Sequence, residues 1–159
     1  MTEEGVLELI KEKFPEIEGI VPEHQKRRVH VKAAKDIIKD IASFLKGNGF
    51  RHLSFITCVD WIDEGEFELV YGISSYEENI VVLLKTRIPR DNPVQKTLLP
   101  LWDQAQTYER EIHEMFGVVF EGNPRLTPFI LEDWEGIPPM RKDFDSRKYS
   151  QAVYDSEAK

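Results

Sequence analysis

The chain has 159 residues, 21 Lys plus Arg against 29 Asp plus Glu, and one cysteine. That length suits one domain able to bury a core without metal or disulfide staples, and a formal charge of -8 argues against nucleic acid, whose phosphates demand a basic footprint. Cys58 alone cannot form an internal disulfide, an iron–sulfur site or a thiolate zinc site, and no window approaches the ~20 apolar residues a membrane helix needs.

The start, MTEEGVLELIKEK, is acidic and amphipathic rather than signal-peptide-like, which implies a reducing cytosolic setting. Val6, Leu7, Leu9, Ile10 and Phe14 make the apolar face of a first helix, stopped at Pro15. Arg28-Val29-His30-Val31 alternates as a brief strand. Ala34, Ile37, Ile38, Ile41 and Leu45 then recur at helical spacing, predicting a helix over 33–46 with Gly47 and Gly49 at its exit. Three strands follow. In the first, Leu53, Phe55, Thr57, Val59 and Trp61 share one face and Ser54, Ile56, Cys58 and Asp60 the other. Beyond the Asp63-Glu64-Gly65 turn, Phe67, Leu69, Tyr71 and Ile73 alternate, and Ile80–Arg87 reads as a strand buried on both faces. This order predicts an α+β fold, a mostly antiparallel sheet with helices on one side.

After Pro93 the pattern predicts two helices. The first spans Val94–Ala105, interrupted near Pro100, and the second opens with Thr107 as N-cap and closes at Gly117. From Val118 to Lys159 no period persists, yet Phe120, Phe129, Ile130, Leu131, Trp134, Phe144, Tyr149 and Tyr154 are scattered through it. Disordered tails are poor in such residues, so 118–159 reads as an extended arm that buries its aromatics on another protein. The competing reading folds the arm back over its own domain. The division is thus a compact domain at 1–117 and a partner-docking arm at 118–159.

Chemistry-bearing constellations are weak. Glu109 and His113 share a helix face, as two metal ligands would, but a His-Glu-x-x-His site needs a second histidine at that spacing. The stretch 109–114 therefore reads as a charged helix laced by Glu–Arg and Glu–His pairs. A stand-alone metal or acid–base enzyme using Glu109 and His113 is the competing class. Cys58 reads as a core cysteine, the four histidines are isolated, and no phosphate-binding glycine loop occurs. No catalytic, cofactor-binding or metal residue is assigned.

One stretch is more specific. Glu109-Arg110-Glu111-Ile112-His113-Glu114-Met115-Phe116-Gly117-Val118, followed by Gly122-Asn123-Pro124, Asp133-Trp134-Glu135-Gly136, Pro138 and Arg141-Lys142-Asp143-Phe144, resembles the signature of the 30 kDa subunit family of respiratory complex I. The resemblance implies a cofactor-free, hydrophilic, peripheral-arm subunit on the cytoplasmic face of a membrane complex. Its implied partners are a large catalytic subunit, of quinone-site or [NiFe] hydrogenase type, and an iron–sulfur small subunit, with no nucleic acid and no direct membrane insertion. It also places Glu109, Arg110, Glu111, Phe116, Gly117, Trp134, Glu135, Gly136, Pro138, Arg141, Lys142 and Asp143 at or supporting that partner interface. Asn123 and Ile137 stand where the family carries histidines, which weighs towards the hydrogenase-type relatives.

Overall fold

A computed structural model describes residues 1–157, so the last two residues of the expected arm lie outside the described residues. Helix α1 (Glu3–Lys13) starts where the Thr2 hydroxyl accepts the Gly5 N–H, with Glu3 and Glu4 at its positive end and Lys11 and Lys13 at the other. Strands β1 (Glu18–Ile20) and β2 (Arg28–Lys32) follow. The helix expected from Ala33 begins later. The Ala33 N–H bonds the Lys85 carbonyl at 3.0 Å and Ala34 stays extended, so a 3-10 turn at Lys35–Ile37 must precede α2 (Ile38–Gly47).

Strands β3 (His52–Trp61), β4 (Glu66–Ser75) and β5 (Ile80–Pro89) complete a five-stranded sheet in the order β1-β2-β5-β4-β3. Only β2 and β5 pair in parallel in this sheet; the rest is antiparallel, as expected. The faces of β3 differ from the strict alternation. The register runs from Leu53↔Ile73 to Phe55↔Gly72, so Ser54 is the extra residue of a bulge, and the inward set switches to Ile56, Cys58 and Asp60. β5 is buried on one face; Val81, Leu83, Lys85 and Arg87 are half-exposed on the other, where Arg87 gathers Glu64, Glu66 and Glu68. The opposite face, with Val31, Ile56, Leu69, Tyr71, Ile73 and Leu84, joins the buried sides of the helices in one core.

The first helix expected after Pro93 is absent. Val94–Lys96 forms β6, parallel to β7 (Val119–Glu121), and turns carry the chain past Pro100. Helical spacing of Leu98, Leu101 and Trp102 arises instead from a turn that tucks Trp102 inward, its indole N–H donating to the Arg51 carbonyl at 2.7 Å. Helix α3 (Ala105–Phe116) opens two residues before Thr107. Carbonyls of Trp102, Asp103 and Gln104 take its first N–H groups, so a side-chain cap is not needed. Val118 and Phe120, just past α3, are buried in the core. Within the arm the chain is not wholly irregular: α4 (Ser146–Glu157) forms, with the Asp145 carboxylate accepting the Arg147 and Lys148 N–H groups.

Candidate functional site

Helix α3 presents its signature residues in different directions, and most of them hold the arm. Glu109 points inward and is fully buried. Its carboxylate accepts the Thr97 hydroxyl at 2.6 Å, the Leu98 N–H at 2.8 Å and the Asn123 amide at 2.8 Å. Burial pushes its carboxyl above the usual range, opposed by those three donors. Both oxygens are occupied by internal donors and closed to solvent, so no substrate or metal reaches them. His113 is engaged elsewhere, its Nδ1 2.8 Å from the Val118 carbonyl. The pair does not converge on a site, and the laced-helix reading fails for Glu109 as well. Asn123, which replaces a family histidine, is itself one of these internal donors; an imidazole N–H would do the same work. That departure bears on packing of the arm rather than on the electron donor.

Arg110 and Glu114 lie one turn apart on α3 and face the arm. Arg110 donates to the carbonyls of Thr127, at 2.9 Å, and Pro128, and its guanidinium lies 4.7 Å from the Phe129 ring centre. The Glu114 carboxylate accepts three successive backbone N–H groups, from Phe129, Ile130 and Leu131, at 3.1, 2.8 and 3.0 Å. Burial works to raise the Glu114 carboxyl, but these three donors, with Arg110 nearby, bring it below the usual range.

The far end of the arm is fastened beneath α3. Gly117 leaves the helix at φ 81°, and a Cβ there would sit 3.1 Å from an Arg141 nitrogen and 3.3 Å from Pro138. Glycine therefore supplies both the left-handed exit and room for the arm. Arg141 donates to the Phe116 carbonyl at 2.7 Å and lies over Phe67. The Lys142 N–H bonds Asp60 at 2.8 Å, while Arg90 grips Asp60 at 2.7 and 3.0 Å and Asp143 at 3.0 Å. Burial would raise the Asp60 carboxyl; Arg90 and the Lys142 N–H outweigh it and hold it below the usual range. Trp134 stacks on Tyr149 at 4.4 Å and meets Phe144 at 5.4 Å, a cluster internal to the arm.

The residues expected at a partner interface thus divide. Glu109 and Phe116 are buried and can support a surface only from within. Arg110, Gly117, Trp134, Pro138, Arg141, Lys142 and Asp143 attach or order the arm. Glu111, Glu135 and Gly136 are exposed. Sequence reasoning missed Glu114, Asp60 and Arg90 as anchors, and Phe129, Ile130, Ile137 and Met140 as exposed apolar side chains. Between α3 and the arm lies an open cleft of about 470 Å³, with His113, Leu126, Leu131, Trp134 and Pro138 on its walls. Among the described residues, no group of three or more His, Cys, Asp or Glu is placed to hold a metal ion.

Comparison with known proteins agrees with this architecture. Residues 31–150 match the family described as respiratory-chain NADH dehydrogenase, 30 Kd subunit. A subunit of the F(420)H(2) dehydrogenase of Methanosarcina mazei is 35% identical over 142 residues, 88% of this chain and 90% of that protein. The mitochondrial NADH-ubiquinone oxidoreductase 30.4 kDa subunit of Neurospora crassa is 37% identical over 75% of this chain and 43% of its own length. In the structure of the membrane-bound sulfane sulfur reductase, an archaeal respiratory membrane complex, one chain superposes with TM-score 0.88 at 40% identity, covering 96% of this chain and 91% of that one. The trypsin-resistant fragment (1-134) of Nqo5 superposes with TM-score 0.65 at 25% identity, covering 78% of this chain and 98% of the fragment. With the signature residues fastening arm to domain and the family match spanning 31–150, the chain belongs to the 30 kDa subunit family of respiratory-chain NADH dehydrogenase.

Proposed function

We propose that this chain is a cofactor-free hydrophilic subunit of a complex-I-like membrane oxidoreductase. It docks through its arm, residues 118–159, on the large catalytic subunit, of quinone-site or [NiFe] type, and on the iron–sulfur small subunit at the cytoplasmic face. Its contribution to electron transfer, and to any coupled ion translocation, is indirect: it holds neighbouring redox subunits in register so that the distances between their centres stay fixed. The observation that carries this reading is the arm itself. Polar clamps from α3 and the sheet fix its backbone, while Phe129, Ile130, Ile137 and Met140 remain exposed, as expected of a surface shaped for a partner. Among the described residues no helix is long and apolar enough to cross a membrane, so partner subunits supply the attachment.

The test is affinity purification of the tagged chain from detergent-solubilised membranes of its native source. Iron–sulfur-bearing partner subunits are expected in stoichiometric amount. Arg110→Ala and Trp134→Ala are expected to lower their recovery while leaving the sheet domain folded. Recovery of the wild-type chain alone would refute the subunit reading, and normal recovery with both variants would refute the arm as its docking element.

A further inference from the structure

Five consecutive residues of the arm, Thr127–Leu131, have their backbone groups taken by two side chains of α3. Arg110 binds the first two carbonyls and Glu114 the next three N–H groups. Freezing a residue's backbone opposes about 1–2 kcal/mol of conformational entropy, so a clamp this complete on an exposed loop calls for a reason. What it displays is two adjacent apolar side chains, Phe129 at 43% and Ile130 at 55% exposure. A groove running from Pro128 to Asp133 carries Glu132 and Asp133 beside them, and Glu135 follows. Residues 128–135 hold three acidic and no basic side chains.

We propose that Phe129 and Ile130 form a preorganised apolar prong that seats in an apolar pocket, rimmed by Lys and Arg, on a partner subunit of the complex. This rests on the subunit reading above and names the anchor within it. Apolar side chains on a backbone already fixed bind without further ordering of the loop, which is the condition for a strong anchor. The acidic flank selects the partner's rim, because opposite charge steers the encounter and like charge is excluded. Charge also decides against a second copy of this chain: each molecule carries -8 and would bring the same acidic flank.

The experiment purifies tagged forms from solubilised native membranes: wild type, Phe129→Ser with Ile130→Ser, and Ile20→Ser on the opposite edge of the sheet as control. The isolated double variant should melt like wild type, since both side chains are exposed, yet recover roughly tenfold less partner subunit. Ile20→Ser should recover the normal amount. A further form, Glu132→Lys with Glu135→Lys, should lower recovery at low salt, with the deficit shrinking as salt rises. If wild type recovers no cluster-bearing subunit, the subunit reading fails and takes the prong with it. If wild type and the double serine variant recover the partner equally, the subunit reading stands and the prong is wrong. Self-association of the isolated wild type, abolished in the double serine variant, would also overturn the proposal by making a second copy the occupant.

Discussion

From Val6 to Phe120 the apolar side chains of three helices and the sheet form one buried cluster, whereas from Pro124 to Asp155 every side chain is at least partly exposed. The first region is held by loss of apolar surface from water, which is non-directional and indifferent to pH. The second is held by a few directional contacts: Arg110 and Glu114 on the loop, Arg141 on the end of α3, and the Asp60–Arg90–Asp143 chain. Charged hydrogen bonds of that kind contribute about 1.5–3 kcal/mol each when partly shielded, and less at the surface. The arm is therefore a separate cooperative unit, able to open while the domain stays folded. An attachment of this kind suits a segment that must be in place before its partner arrives.

The comparison is broken most severely at its junction. Glu109 satisfies donors from both regions, Thr97 and Leu98 on one side and Asn123 on the other. Glu109→Ala should lower the global stability by about 3 kcal/mol, because it leaves three buried donors unmet. The urea midpoint measures this, and a loss under about 1 kcal/mol would mean that the carboxylate's burial penalty cancels its bonds. Glu114→Ala should do something different in kind. It should raise amide exchange at Phe129, Ile130 and Leu131 by one to two orders of magnitude, equal to about 2 kcal/mol of local stability, with the global midpoint moving far less. Equal loss in both observables would show that arm and domain open together.

Acid separates the two regions by sign. Asp60 and Glu114 are held below the ordinary carboxylate range. Their stabilisation is complete above the unfolded values, about 3.9 and 4.3, and is lost as pH falls through the lower folded ones. Glu109 is displaced upward, so its linkage runs the other way and weakens the domain as pH rises through its folded value. On acidification towards about pH 3, exchange should therefore rise at Ile130 and Lys142 before it rises at Leu69. Simultaneous loss of protection would contradict the separation.

Legibility in the sequence follows the range of the deciding contacts. The α1 and α2 faces and the β2, β4 and β5 alternations are local patterns, and they appear as read apart from the delayed start of α2 and the one-sided burial of β5. The bulge at Ser54 is invisible to period-2 counting, which has no signal for one inserted residue. β6 escapes local pattern because its partner β7 lies some 25 residues on, while Leu98, Leu101 and Trp102 imitate helical spacing. At the site, the signature stretch locates α3 but not its direction of work. Glu114 is in that stretch, yet the N–H groups it accepts come 15 to 17 residues later, and Arg90 reaches Asp60 across 30. The tail's aromatics imply burial, and part of that need is met within the arm by Trp134, Phe144 and Tyr149.

The smallest expected effect tests the domain's side of the contrast. Among the described residues, the Tyr71 hydroxyl is buried without a hydrogen-bond partner, as is that of Thr86. Burial, with the Glu109 carboxylate and Cys58 adding to it, drives the Tyr71 phenol well above its ordinary range, so it stays protonated. An unmet buried hydroxyl costs about 1–3 kcal/mol, and Phe keeps the ring that fills the core. Tyr71→Phe should therefore leave the urea midpoint unchanged or raise it by up to about 1 kcal/mol. Every polar group deleted from the arm's clamps should do the reverse. If Tyr71→Phe instead loses more than about 1 kcal/mol, the hydroxyl has a native partner, and the domain depends on directional contacts in the same way as the arm.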